Sequence, residues 1–261
     1  MDPHAIPSVQ KGNVIVMADS GWGDAQIQDI AAVLSSAREQ LLRDTSLDLP
    51  SVLVVHGANV PLMHRDLDGS NVKVTLTSVG RRWCQFAFQF GHEMCHAVAW
   101  HTRNGDGYAW AGSVENSWLE ESFCEASSYL VLERMAETWR VSPPYDNWKE
   151  YADQLKTYLQ DHKNEITSSR PADFRTWFNH EETSLRSDPL QRQKNQIIAE
   201  RLLPYMQKSS SALTAISKIR KFKQVDGMSL TQFFKPWHAN STAEEGAIII
   251  TIASEFGCLL D

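Results

Sequence analysis

The sequence has only four cysteines, and no two of them form a CxxC pair. This spacing disfavours a disulfide scaffold and also the paired-thiolate sites of structural zinc proteins. We therefore expect the thiols to be buried and reduced, with metal ligation by one of them as the alternative. The four residues are Cys84, Cys95, Cys124 and Cys258.

Long hydrophobic runs and an excess of positive charge are absent as well. The longest apolar stretch, residues 247–253, is far too short to cross a bilayer. The N-terminus has no basic segment followed by an apolar run, so we expect no signal peptide and a cytoplasmic protein, with export by another route as the alternative. The net charge of −7 disfavours non-specific binding to nucleic acid or to anionic membranes. A short basic run is expected to form a solvated helix face: Lys218, Arg220, Lys221 and Lys223.

Hydrophobic periodicity predicts strands in the first part of the chain and helices in the rest. The predicted strands cover residues 14–17, 51–56 and 72–77. The predicted helices cover about 26–43, 81–101, 117–139, 148–162, 171–178, 190–206, 212–222, 230–237 and 244–256. Ser142-Pro143-Pro144 is the clearest linker. These features predict an α+β chain with a mixed N-terminal lobe over residues 1–140 and a helical lobe over residues 141–261.

The segment Gly91–His96 contains the pattern HExxH. Residues four apart lie on one face of a helix, so the imidazoles of His92 and His96 can bind one zinc ion. Glu93 lies about 100° further around the helix, where it can reach a water bound to the metal. A catalytic zinc takes three protein ligands and keeps one open position, so a third ligand must come from elsewhere. The alternative is a pair of histidines in a polar crevice with no metal.

A pair of glutamates downstream is the expected source of that third ligand. Glu121 and Glu125 are four residues apart and therefore share a helix face. One carboxylate can bind zinc, while the other can accept the free ring N–H of a ligand histidine. The alternative is a solvated acidic stretch, which the neighbouring Trp118 and Phe123 argue against.

HExxH followed by W-L-x-E-x-F resembles the gluzincin clan of zinc metallopeptidases, over about residues 72–132. The resemblance implies a zincin-like fold, a bound Zn²⁺ and Glu121 as the third zinc ligand. Glu125 as the partner of a ligand histidine is our own inference from its spacing. Glu115 fits the clan's usual gap after HExxH better but lacks the WLxE surroundings. The resemblance also implies that an edge strand, here expected at residues 72–77, lies antiparallel to the substrate.

Two further features depart from the clan's pattern. The gap after HExxH is enlarged, and we predict that residues 103–116 form a loop that rims the substrate pocket or closes over it. Hydrolysis also needs a donor aimed at the developing oxyanion, which the clan supplies as Tyr or His from its C-terminal half. No segment here matches that pattern. The candidate donors are Arg192, His180, Tyr205 and His238.

Together, these features predict a zinc-dependent hydrolase, foremost a metallopeptidase acting on a peptide or protein. In this prediction Glu93 is the general base toward the metal-bound water. One alternative is a catalytically inactive zinc-binding protein on the same scaffold. Others are a hydrolase of a non-peptide amide and a helical module without metal. The sequence does not indicate the oligomeric state.

Overall fold

The computed structural model describes residues 7–18, 20–65, 72–101 and 115–260. Within these ranges the fold is mixed α/β, with one small five-stranded sheet and a larger number of helices. The predicted combination of strands first and helices afterwards is therefore confirmed in outline. The zincin-like arrangement stays a prediction.

The sheet contains five strands in the order β1-β2-β3-β5-β4. β1 pairs with β2 and β4 pairs with β5 in antiparallel orientation, while β3 lies parallel to both β2 and β5. Residues of β2, β3 and β5 alternate between buried and half-buried positions, as expected for strands with one face on the core. The strand bounds are β1 Ser8–Lys11, β2 Val14–Met17, β3 Val52–His56, β4 Leu62–Arg65 and β5 Val72–Leu76.

The prediction that residues 72–77 form an edge strand is wrong. β5 lies between β3 and β4, and the outer strands of the described sheet are β1 and β4. The sequence did not reveal β4 because its four residues, Leu-Met-His-Arg, are too few and too polar to show a strand pattern. The edge strand next to β5 is therefore β4, which pairs with β5 in antiparallel orientation.

The predicted helices are all present, most with ends shifted by a few residues. The bounds are α1 Ile27–Leu42, α2 Trp83–His101, α3 Ser117–Trp139, α4 Tyr151–Glu165, α5 Phe174–Ser187, α6 Arg192–Lys208, α7 Ser211–Ile216, α8 Leu230–Ala239 and α9 Ala243–Glu255. α5 is longer than predicted and α7 is shorter. In the part of the chain described here, no helix is both long and apolar enough to cross a membrane.

Two compact units can be distinguished, and both are discontinuous in sequence. The first consists of residues 1–43, 48–97 and 127–161, and it contains the sheet with α1 packed against β1 and β2. The second consists of residues 44–47, 98–126 and 162–261, and in it α9 packs against α7 and α8. The helices α2, α3 and α4 each contribute residues to both units. The predicted boundary after residue 140 stays a prediction.

The start of α2 is fixed to the end of β5 by the side chain of Gln89. Its Oε1 accepts hydrogen bonds from the backbone N–H groups of Thr77 and Ser78, at 3.1 and 3.2 Å. Its Nε2 donates to Thr77 Oγ1 at 2.9 Å. These bonds satisfy backbone N–H groups just beyond β5 and fix the position of α2 relative to the sheet.

α2 and α3 approach each other closely at Gly91. A Cβ atom added to Gly91 would lie 3.3 Å from Ser128 Cα and 3.3 Å from Val131 Cγ2, both on α3. One turn earlier on α2, the carbonyl of Phe88 accepts a 2.8 Å hydrogen bond from Ser128 Oγ. The absence of a side chain at Gly91 therefore allows the two backbones to come together, and Ser128 fixes the register between them.

The four cysteines are all buried and form no disulfide, which confirms the sequence-based expectation. Burial raises the pKa of the Cys84 thiol to about 11, and its hydrogen bond to Tyr151 lowers it only in part. Cys84 is therefore protonated at neutral pH. Cys95 and Cys124 are fully buried on α2 and α3.

We expect Gly91→Val to destabilise the protein by about 1–3 kcal/mol, the usual cost of forcing extra methyl groups into a packed interior. The added carbons would meet the α3 backbone, which cannot rotate away as a side chain could. Urea unfolding measures the change. Glu137→Val, at an exposed position of α3, is the control and should stay within about 0.5 kcal/mol of the parent. Equal stability of Gly91→Val and the parent would contradict the close helix contact.

Candidate metal centre

The HExxH segment lies in the second half of α2, as the sequence predicts. The imidazoles of His92 and His96 lie next to each other, with ring centroids 5.1 Å apart and planes inclined at 65°. Both histidines are half-buried. Glu93, between them in sequence, is only 4% exposed. The helix thus holds two imidazoles side by side, with a buried carboxylate adjacent to them.

A third side chain that can bind a metal joins the two histidines. One ring nitrogen each of His92 and His96 and the Sγ atom of Cys124 all lie within 4.8 Å of one another. Among the described residues, this is the group of three or more His, Cys, Asp or Glu side chains that could hold a metal ion. The structure therefore contains a candidate metal-binding triad on α2 and α3.

The chemistry of this donor set fits a zinc ion. Imidazole nitrogens bind zinc at about 2.0–2.1 Å and thiolates at about 2.3 Å, so donors at the corners of one tetrahedron lie roughly 3.3–3.6 Å apart. Donors that already lie within 4.8 Å of one another need shifts of only about 1 Å to reach that spacing, which side-chain torsions can supply. Three such donors leave one tetrahedral position for water or substrate.

A buried ion pair lies beside the same two helices, one turn from the triad. Arg220 binds Glu120 through two hydrogen bonds, Nε to Oε2 at 2.6 Å and Nη2 to Oε1 at 2.7 Å. The guanidinium also lies over the ring of Trp100, with Cζ 4.4 Å from the centroid. Trp100 is four residues after His96 on α2, and Glu120 is four residues before Cys124 on α3. This arrangement fixes the pairing of the helices beyond the triad.

The prediction that the basic run forms a solvated helix face is therefore wrong for two of its members. Arg220 is 14% exposed and its partner Glu120 only 1%. Lys218 pairs with Glu245, and both side chains are largely buried. Sequence alone did not show these pairs because each acidic partner lies far away along the chain.

The two glutamates predicted around the metal both lie on α3. Glu121 is half-buried and is not a member of the triad, while Glu125 is 5% exposed and immediately follows Cys124. Glu121 precedes Cys124 by three residues, so the two side chains lie near the same face of the helix. Glu121 as a zinc ligand and Glu125 as the partner of a histidine stay predictions.

Glu115, the alternative third ligand, lies in a turn before α3. Its carboxylate pairs with Arg186 of α5 and accepts a hydrogen bond from the backbone N–H of Gly227 at 3.3 Å. The predicted loop over residues 103–116 falls almost entirely outside the described residues, which resume at 115.

The candidate oxyanion donors lie on the C-terminal helices and have other partners. The Arg192 guanidinium contacts His162 Nδ1 at 3.3 Å and Glu165 of α4 at 3.9 Å. Tyr205 donates a 2.7 Å hydrogen bond to Glu255, and burial together with this bond raises the pKa of Tyr205 to about 12. His180 is exposed and pairs with Glu181, and the His238 ring lies against Gly246. Arg192 in the oxyanion role stays a prediction.

From the sequence, we expect Cys124 to be a buried thiol, and the pattern around it does not single it out as a ligand. The signal that could have identified it is its position on α3, one turn before Ser128 and one turn after Glu120, on the face directed at α2. Recognising that face requires the register between α2 and α3, which the chain does not encode locally. A long segment separates the two helices in sequence, so their register cannot be predicted from local spacing.

Comparison with protein-family models, with curated proteins and with solved structures finds no match to this chain.

We expect Arg220→Ala to destabilise the protein by about 3–5 kcal/mol, because it leaves the buried Glu120 carboxylate without its cation. Arg140→Ala is the matched control: it removes an exposed pair with Asp153 and should cost at most about 1 kcal/mol. Urea unfolding compares the two variants. A similar small effect for both would show that the Glu120 pair is not buried in solution. The double variant Arg220→Met with Glu120→Leu should recover much of the loss.

Proposed function

We propose that this chain is a zinc-dependent hydrolase, foremost a metallopeptidase related to the gluzincins. The observation that carries the proposal is the adjacency of His92 and His96 with a buried glutamate, Glu93, between them in sequence and a third donor on α3. A pair of helix histidines that binds no metal would not need a third donor group from a second helix. The combination is what metal-assisted hydrolysis needs.

The division of labour follows from the chemistry of each group. When bound, zinc supplies Lewis acidity that polarises a carbonyl and lowers the pKa of its water from about 16 toward 7. His92 and His96 hold the ion, together with a donor from α3. Glu93 accepts the proton of the attacking water and returns it to the leaving nitrogen.

An extended peptide would lie along β4, the edge strand Leu62–Arg65. Strand addition at a sheet edge supplies main-chain hydrogen bonds that do not depend on side-chain identity. β4 pairs with β5, and β5 leads into α2 through the segment that Gln89 fixes. The edge strand and the histidine helix are thus connected through one strand and one set of hydrogen bonds.

The second candidate function is zinc binding without turnover. It is favoured by the contacts of Arg192 and Tyr205, which engage His162, Glu165 and Glu255 instead of the histidine helix. A site that lacks a donor for the oxyanion loses about 10²–10³-fold in rate.

We expect Glu93→Gln to retain one zinc per chain and to lose nearly all hydrolytic activity, because the amide cannot accept the proton. His96→Ala should lose the zinc as well as the activity. Zinc is measured by elemental analysis and turnover with a mixed peptide library. Unchanged cleavage by Glu93→Gln would remove Glu93 from the proposed role. Full zinc occupancy of the parent without any turnover would favour the non-catalytic function.

A further inference from the structure

We infer that the third protein ligand is the thiolate of Cys124, so that the metal is held by two histidines and one cysteine. This inference rests on the proposed binding of a metal at His92 and His96. It changes the ligand that the family resemblance implies, Glu121, and it changes the chemical character of the site from nitrogen and oxygen to nitrogen and sulfur.

Distance is the first argument. The Sγ atom of Cys124 lies within 4.8 Å of a ring nitrogen of each histidine, and no carboxylate oxygen of Glu121 joins that group. A cysteine side chain has a single rotatable bond before its donor atom, so little conformational freedom is lost when it binds. The geometry is therefore nearly formed before any ion arrives.

The register of the two helices is the second argument. On one side of the triad, α2 meets α3 at Gly91 and Ser128. On the other side, Arg220 joins Trp100 of α2 to Glu120 of α3. Along their helices, His92, His96 and Cys124 all lie between these two points.

Glu121 lies three residues before Cys124 on α3. A shift of three residues moves a helix position by roughly 4.5 Å along the axis, away from His96 and toward the Trp100 end of α2. Cys124 is fully buried, whereas Glu121 is half-buried. Glu121 is not a member of the group of donor atoms that lie within 4.8 Å of one another.

A set of two imidazoles and one thiolate is suited to zinc and remains compatible with catalysis. Thiolate is a soft ligand that favours zinc over magnesium or calcium, and the single negative charge equals that of a carboxylate. Three protein ligands still leave a fourth position for water or substrate. The proposed hydrolytic chemistry thus does not depend on which anionic ligand α3 provides.

The test replaces zinc with Co²⁺ in the full-length protein, because a thiolate bound to Co²⁺ gives an intense near-ultraviolet charge-transfer band that carboxylate and imidazole do not give. We expect one Co²⁺ per chain and this band in the parent, in Glu121→Gln and in Cys95→Ser. Cys95 is the matched control, since it is equally buried and lies beside His96 but is outside the triad.

Cys124→Ala should abolish the band and weaken Co²⁺ binding by more than about 100-fold, beyond the 10–100-fold loss typical of residues that only orient a ligand. Cys124→Asp should restore binding in part without restoring the band, since a carboxylate is a ligand but not a thiolate. This variant separates loss of the ligand from loss of packing.

If Cys124→Ala fails to fold, the parent and Cys95→Ser spectra still show whether a thiolate other than Cys95 binds the metal. Bound Co²⁺ without the band would overturn the Cys124 assignment while leaving the metal site of the proposed function intact. A band that persists in Cys124→Ala would overturn it too. A band without peptide turnover would support Cys124 and count against the hydrolase, and a parent that binds no Co²⁺ would overturn both.

Discussion

The close approach of α2 and α3 at Gly91 is the contact on which the candidate metal site depends. Histidines four apart on one helix can present two nitrogen donors, but a third donor requires a second helix at backbone-to-backbone distance. Gly91 permits that distance, and the hydrogen bond from Ser128 Oγ to the Phe88 carbonyl fixes the register. Cys124, one turn along α3 from Ser128, then lies beside His92 and His96. Because the site is built on two helices, its side chains are positioned more precisely than they would be on loops.

Buried charge is the second organising element. Glu120 is almost completely buried, and its charge is balanced by Arg220, whose guanidinium also covers Trp100. Glu93 and Glu125 are buried on the same two helices. Carboxylates in such surroundings are costly unless a cation or several donors stabilise them. Arg220 provides the cation at Glu120. In our proposal, a divalent metal held by the triad provides a second cation one turn away from Glu120. The two positive groups would together hold an acidic pair of helices in one register.

The local features of this protein were predictable from sequence, and its long-range pairings were not. The HExxH pattern, the bounds of α3 and the burial of all four cysteines follow from short-range spacing and hydrophobicity. β4 was missed because four mixed residues carry no periodicity, and this placed the sheet edge on the wrong strand. Arg220 looked solvated because Glu120 is a hundred residues away. Cys124 was overlooked for the same reason, since its distance from His96 depends on the register between α3 and α2.

X-ray absorption at the zinc edge of the purified protein identifies and counts the atoms bound to the metal. We expect zinc with two imidazole nitrogens at about 2.0–2.1 Å and one sulfur at about 2.3 Å, with a light atom in the remaining position. In His92→Ala this pattern should disappear together with the bound zinc. A spectrum that the His92 change leaves untouched, or a protein that takes up no zinc when zinc is supplied in excess, would contradict this assignment.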